Sequence, residues 1–201
     1  MNLVSMLQIG IQISITLLIA YVLYKATLED LATRTIRSIW VIILYILVSI
    51  YSVSAELNLQ STYVFLFGFI LFMGLATLSR GQFGFGDALV IGALAWYYHT
   101  FNDFRMFLFV IAIIGIPWTI YWTWYYSKKM KIGDIIRAGS KEISVDKAQP
   151  GMVLAGDNFM HGLTKKDIER FKTEGKLTID VKQPFPFIPV IFLAFLVMIF
   201  L

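Results

Sequence analysis

The sequence predicts an α-helical polytopic membrane protein of about six transmembrane helices, with a small α+β insert between the fifth and the sixth. Three observations predict it. Of 201 residues, 58% are hydrophobic and the mean hydropathy is +0.74, beyond the roughly 45–50% apolar content of soluble domains. The apolar residues gather in runs long enough to be membrane spans, separated by polar turns. Residues 127–183 alone break the pattern, being charged and carrying short strand-like pieces.

The first run covers residues 3–27. It has no basic segment before it and no small-residue cleavage site after it, so it reads as a span and not as a removable signal. Ser5, Gln8 and Gln12 share one face of that helix, which is expected to turn towards other helices. A polar stretch from Lys25 to Arg37 leads to a second run at residues 38–53. A third follows at 62–78, a short fourth at 88–98 and a fifth at 104–126. Gly115 and Pro117 are expected to bend the fifth. The aromatic cluster from Trp118 to Tyr126 reads as an interfacial belt.

The insert carries two strand-like pieces, at 142–145 and 177–181. Between them Thr164-Lys165-Lys166-Asp167 reads as a capping box opening a helix that ends before Gly175. Pro184, Pro186 and Pro189 then lead into a sixth run ending at Leu201. The expected division is therefore a membrane bundle over 1–126, a soluble insert over 127–183 and a sixth span over 184–201. With six spans, the first, third and fifth loops share a side. With the adjoining span ends they hold Lys25, Arg34, Arg37, Arg80 and every basic residue from Lys128 to Lys182, leaving Arg105 opposite. The positive-inside rule makes that side cytoplasmic and both termini external.

Several function classes fall away. The formal net charge is +4, but its confinement to particular loops reads as membrane topology and not as nucleic-acid binding. The absence of cysteine removes disulfides, thiolate ligands and a cysteine nucleophile, and two distant histidines argue against zinc. No metal or other cofactor is expected.

What remains is a pair of acids at membrane boundaries. Asp87, in Gly84-Phe85-Gly86-Asp87, opens the fourth run near its expected N-cap, with two glycines before it that permit positive φ or close approach. Asp30, in Asp30-Leu31-Ala32-Thr33-Arg34-Thr35-Ile36, sits past the first run on the same side. Two such carboxyls can share a proton and polarise a water, one acting as base and the other as acid, with no covalent intermediate. The dipoles of the two helix ends place the base at Asp87 and the acid at Asp30. Glu29, about 100° away on a helix, reads as a solvated neighbour. Arg34 and Arg37 read mainly as topology determinants.

These two motifs, placed before the second and fourth spans, resemble those of the type IV prepilin peptidase family. The insert, with Ile143-Ser144-Val145-Asp146 and Pro150-Gly151-Met152-Val153-Leu154, is similar to that of the archaeal members. The resemblance implies a membrane aspartic endopeptidase with Asp30 and Asp87 as catalytic residues and Gly84, Phe85 and Gly86 as the active-site loop. It implies pilin-like or archaellin precursors with short signal sequences as partners, cut at the cytoplasmic face of the cell membrane. Arg37 stands where many members have proline. The paired-cysteine domain of bifunctional bacterial members is absent, so peptidase activity alone is expected. The competing class is a non-enzymatic anchor or a transporter whose acids bind a proton or cation. That class favours acids near the midplane and broken helices in repeated halves, and no internal repeat is visible.

Overall fold

The computed structural model describes residues 3–33, 36–55, 59–78, 84–127, 140–148, 152–154, 163–182 and 186–201. Arg34, Thr35, Arg80, Pro150 and Pro184, all named above, lie outside the described residues, as do Asp134, Asp157 and His161. The helices are α1 (Leu3–Thr33), α2 (Ser38–Ser54), α3 (Leu59–Leu78), α4 (Phe85–Tyr97), α5 (Phe101–Ser127), α6 (Lys165–Thr173) and α7 (Ile188–Phe200). The strands are β1 (Ser140–Ser144), β2 (Val153–Leu154) and β3 (Thr178–Lys182).

Three helices, α1, α3 and α5, are long and apolar enough to cross a membrane. Their outward faces show which solvent the sequence expects. In α2, Val41, Leu44, Val48 and Ser52 are buried at helical spacing, while Ile39, Ile42, Ile46 and Ile50 on the other face are at least half exposed. A soluble helix would carry polar residues there. A surface apolar on both sides matches hydrocarbon outside as well as protein inside.

The two shortest apolar helices occupy the middle. The 13-residue α4 packs between α2 and α3, and the 13-residue α7 between α1 and α5. Both are hydrophobic all round, the pattern of a helix with no solvent face. Ala88 and Val90 through Ala95 are buried in α4, as are Ile188 through Ile191, Ala194 and Phe195 in α7. Glycine lets α3 and α4 approach closely. A Cβ on Gly68 would come within 2.5 Å of the Ala95 Cβ, and one on Gly92 within 3.5 Å of the Phe69 Cα.

Several boundaries differ from the expected ones. α1 continues six residues past the first apolar run, to Thr33, because nothing in Leu28-Glu29-Asp30-Leu31-Ala32 breaks a helix. Asp30 is therefore inside the last turns of α1 and not beyond its end. α5 begins at Phe101, three residues before the expected fifth run, and carries Pro117 inside it on the way to Ser127. The sixth apolar run becomes helical only at Ile188, with Pro189 in the first turn, where a missing N–H costs no helical bond.

The expected inward face of α1 is used: Gln8 and Gln12 Nε2 both donate to the Ser54 carbonyl at the end of α2, at 2.7 and 3.4 Å. At that same end Tyr97 meets Thr16 at 3.0 Å and stacks on Tyr51, which in turn stacks on His99. Trp118 also has a partner inside the bundle. Its Nε1 donates to the Pro186 carbonyl at 2.9 Å, fixing the chain two residues ahead of α7.

The insert has its own small core of Val145, Leu163, Ile179 and Val181. Both expected strands are present as β1 and β3, paired antiparallel with Ile143 opposite Ile179. β3 is central, and β2, too short for alternation to reveal, pairs on its other edge. The capping box forms as expected: Asp167 N–H donates to Thr164 Oγ1 at 3.2 Å, and Thr164 N–H to Asp167 Oδ2 at 2.8 Å. The Thr164 hydroxyl, donating to Asp167 Oδ2 at 2.6 Å, and then the Thr164 N–H hold the Asp167 carboxyl below its ordinary pKa. Gly175, at φ +68°, ends the helix region as a left-handed residue after Glu174.

Candidate active site

The site is assembled from three helix ends and one turn. The C-terminal turns of α1 bring Asp30, the first turn of α4 brings Asp87, and the first residue of α7 brings a backbone donor. Asp30 is only 4% exposed. A carboxyl so enclosed requires polar partners, and one of them is the Ile188 N–H, which donates to Asp30 Oδ2 at 3.1 Å. The opening donors of α7 are thereby accounted for. Ile188 binds Asp30, Pro189 has no N–H, and Val190 binds the Phe187 carbonyl at 3.0 Å.

Asp87 is more accessible than Asp30, being partly buried. It is the third helical residue of α4, in the first turn after the Gly84 N-cap and so near the cap as expected. Asp87 therefore sits at the end with unpaired N–H groups and the positive end of the helix dipole. Asp30 and Asp87 are close enough for their charges to interact, although 57 positions separate them in the chain. The two acids singled out in the sequence are thus brought to one place.

Of the two roles expected of the glycines, the structure shows close approach and not positive φ. Gly84 has φ −72° and ψ 141°, and Gly86 is helical, so neither uses positive φ. Gly86 instead permits close approach: a Cβ there would lie 3.1 Å from Ile36 Cδ1. Ile36 closes the first aspartate motif and Gly86 belongs to the second, so the motifs touch directly. Phe85 begins α4 one residue after its cap.

Glu29 is not the solvated neighbour that helical geometry alone indicates. Its side chain is only 14% exposed, and Oε1 meets Arg37 Nε at 2.6 Å. Oε2 accepts the Arg37 N–H at 3.3 Å. The pair ties the end of α1 to the N-cap of α2. Arg37 therefore has a local partner as well as a place in the loop charge pattern.

Sequence reasoning also missed the third helix end. The dipole contrast drawn from α1 and α4 counted the C-terminus of α1 beside Asp30, but the N-terminus of α7 faces the same carboxyl. Helix ends alone no longer separate an acid from a base in this pair. The run of prolines before residue 189 was the available signal, since it marks where α7 starts, though not where it docks.

Among the described residues no group of three His, Asp or Glu side chains could hold a metal ion. The arrangement comprises a buried, tethered carboxyl beside a more accessible one, both at the edge of an apolar bundle. Such a pair can take a proton from a water and return one to a developing oxyanion. Compared with family models, curated proteins and solved structures, the chain matches none.

Proposed function

We propose that the protein is a membrane-embedded aspartic endopeptidase that removes short signal sequences from pilin-like or archaellin precursors at the cytoplasmic membrane face. The observation that carries this is that Asp30 and Asp87 lie within electrostatic reach of each other at one end of the helix bundle. In this account all six apolar helices lie in the bilayer, with both termini external and the insert cytoplasmic. A 13-residue helix rises about 20 Å, less than the roughly 30 Å hydrocarbon core. The ends of α4 and α7 nearest the aspartates are then recessed, and a precursor would be cut close to the membrane-facing end of its own apolar helix.

Transport is the weaker account because the acids gather at one end of the bundle and not halfway along it. The deciding experiment incubates detergent-solubilised protein with a panel of pilin-like and archaellin-like precursors and reads their intact masses. Loss of an N-terminal segment from at least one precursor is expected. Unchanged masses throughout, with proton or cation flux in vesicles, would establish the transport account instead.

A further inference from the structure

Glu29 adjoins Asp30, and its carboxylate makes two bonds to one residue: Oε1 with Arg37 Nε at 2.6 Å and Oε2 with the Arg37 N–H at 3.3 Å. Arg37 is 77% exposed and Glu29 only 14%, so a solvent-facing cation is held by a largely enclosed anion. Isolated exposed ion pairs contribute little. This one also satisfies a backbone donor ahead of α2, and hydrogen bonds to an ionised acceptor are the stronger kind. Preceding Arg37 in the chain is Ile36, whose Cδ1 lies against Gly86 in the first turn of α4, next to Asp87. The contacts thus run from Glu29 to Arg37, from Ile36 to Gly86, and so from one aspartate-bearing helix to the other.

We infer that Glu29 is a positioning residue: by clamping Arg37 it seats Ile36 on Gly86 and sets the end of α1, with Asp30, against the start of α4, with Asp87. This rests on the peptidase account for its catalytic consequence, but the clamp itself can be read without any substrate. Asp30 also holds the Ile188 N–H, and Pro189, the next residue, has no N–H. Hydrogen exchange of the Ile188 amide therefore reports the placement of Asp30 across 158 positions of sequence.

The test uses the full-length protein with Glu29→Gln and Glu29→Ala, the first retaining a neutral acceptor at nearly the same size. In both, faster exchange is expected at Arg37 and at Ile188, larger for alanine. Against a cleaved precursor, kcat is expected to fall about tenfold with KM changed less than about twofold, because misplacement of catalytic groups by a fraction of an ångström acts on turnover. Both Arg37→Lys and Arg37→Ala keep the backbone N–H, and Arg37→Lys, which also keeps the charge, should recover most of the rate that Arg37→Ala loses. Unchanged Ile188 exchange in Glu29→Ala would overturn the inference, as would wild-type kcat in that variant. If the wild-type protein cleaves no precursor, the peptidase account fails while the exchange comparison still decides the clamp.

Discussion

Asp30→Asn and Asp87→Asn are each expected to reduce precursor cleavage by at least about 10²–10⁴-fold, the range associated with a positioned acid or base. Asparagine keeps the size and one acceptor oxygen of each side chain, so the helix ends should persist. For Asp30 this matters, because the remaining oxygen can still accept the Ile188 N–H and hold α7 in place. Thermal unfolding in detergent should therefore shift far less than activity. Near-normal turnover by either variant would remove a two-carboxyl mechanism. Both variants should behave alike, since a water activated by one acid and an oxyanion protonated by the other need both.

The second large effect concerns the packing that carries Asp87. Gly68→Ala is expected to destabilise the bundle by about 1–3 kcal/mol, the usual cost of overfilling a packed interior. The added methyl would sit 2.5 Å from the Ala95 Cβ and 3.0 Å from Phe104. Ala95 Cβ is bonded directly to backbone, so relief requires α3 and α4 to separate. Gly74→Ala is the control on the same helix, with nothing within 4 Å of the new atom. Unfolding midpoints of the two variants in one detergent check this: a fall for Gly68→Ala alone is expected, and equal midpoints would mean that α3 and α4 are not in close contact there. Gly92→Leu, whose side chain would run into Phe69 and Tyr45, should disturb α4 and lower activity from a distance.

Hydrophobic runs made most of the helices legible, because run length and apolar content are local properties. Helix ends were less legible for the same reason. α1 outlasts its apolar run, since Glu29 and Asp30 are helix-compatible residues whose carboxyl groups are answered by Arg37 and by the Ile188 N–H. Neither partner is visible without the fold. The aspartates themselves could be singled out because an acid at a hydrophobic boundary is costly wherever it is met. What the glycines do could not be read in the same way. Close approach and positive φ both call for glycine, and only the position of Ile36 over Gly86 distinguishes them. In the insert, Thr164 and Asp167 were readable because a cap is a contact within four residues. The two-residue β2 was not, because its only claim to be a strand is its pairing with β3.

The presence of Arg37 where many members of the resembled family have proline also gains a physical meaning. Proline would stiffen that turn by restricting φ, at the loss of an N–H. Here the N–H is retained and used, as the second bond of the Glu29 clamp. The turn is held by the Glu29–Arg37 contacts.

The central claim is that Asp30 and Asp87 together bind the tetrahedral species formed when water adds to a peptide bond. The most direct measurement is the affinity of a precursor-derived peptide whose scissile amide is replaced by a hydroxyethylene group, set against the same peptide lacking the hydroxyl. The account predicts that the hydroxyl strengthens binding at least about a hundredfold in the wild-type protein, as transition-state mimicry does, and that either aspartate-to-asparagine change erases the difference. Equal affinity of the two peptides for a wild-type protein that cleaves the parent precursor would contradict it.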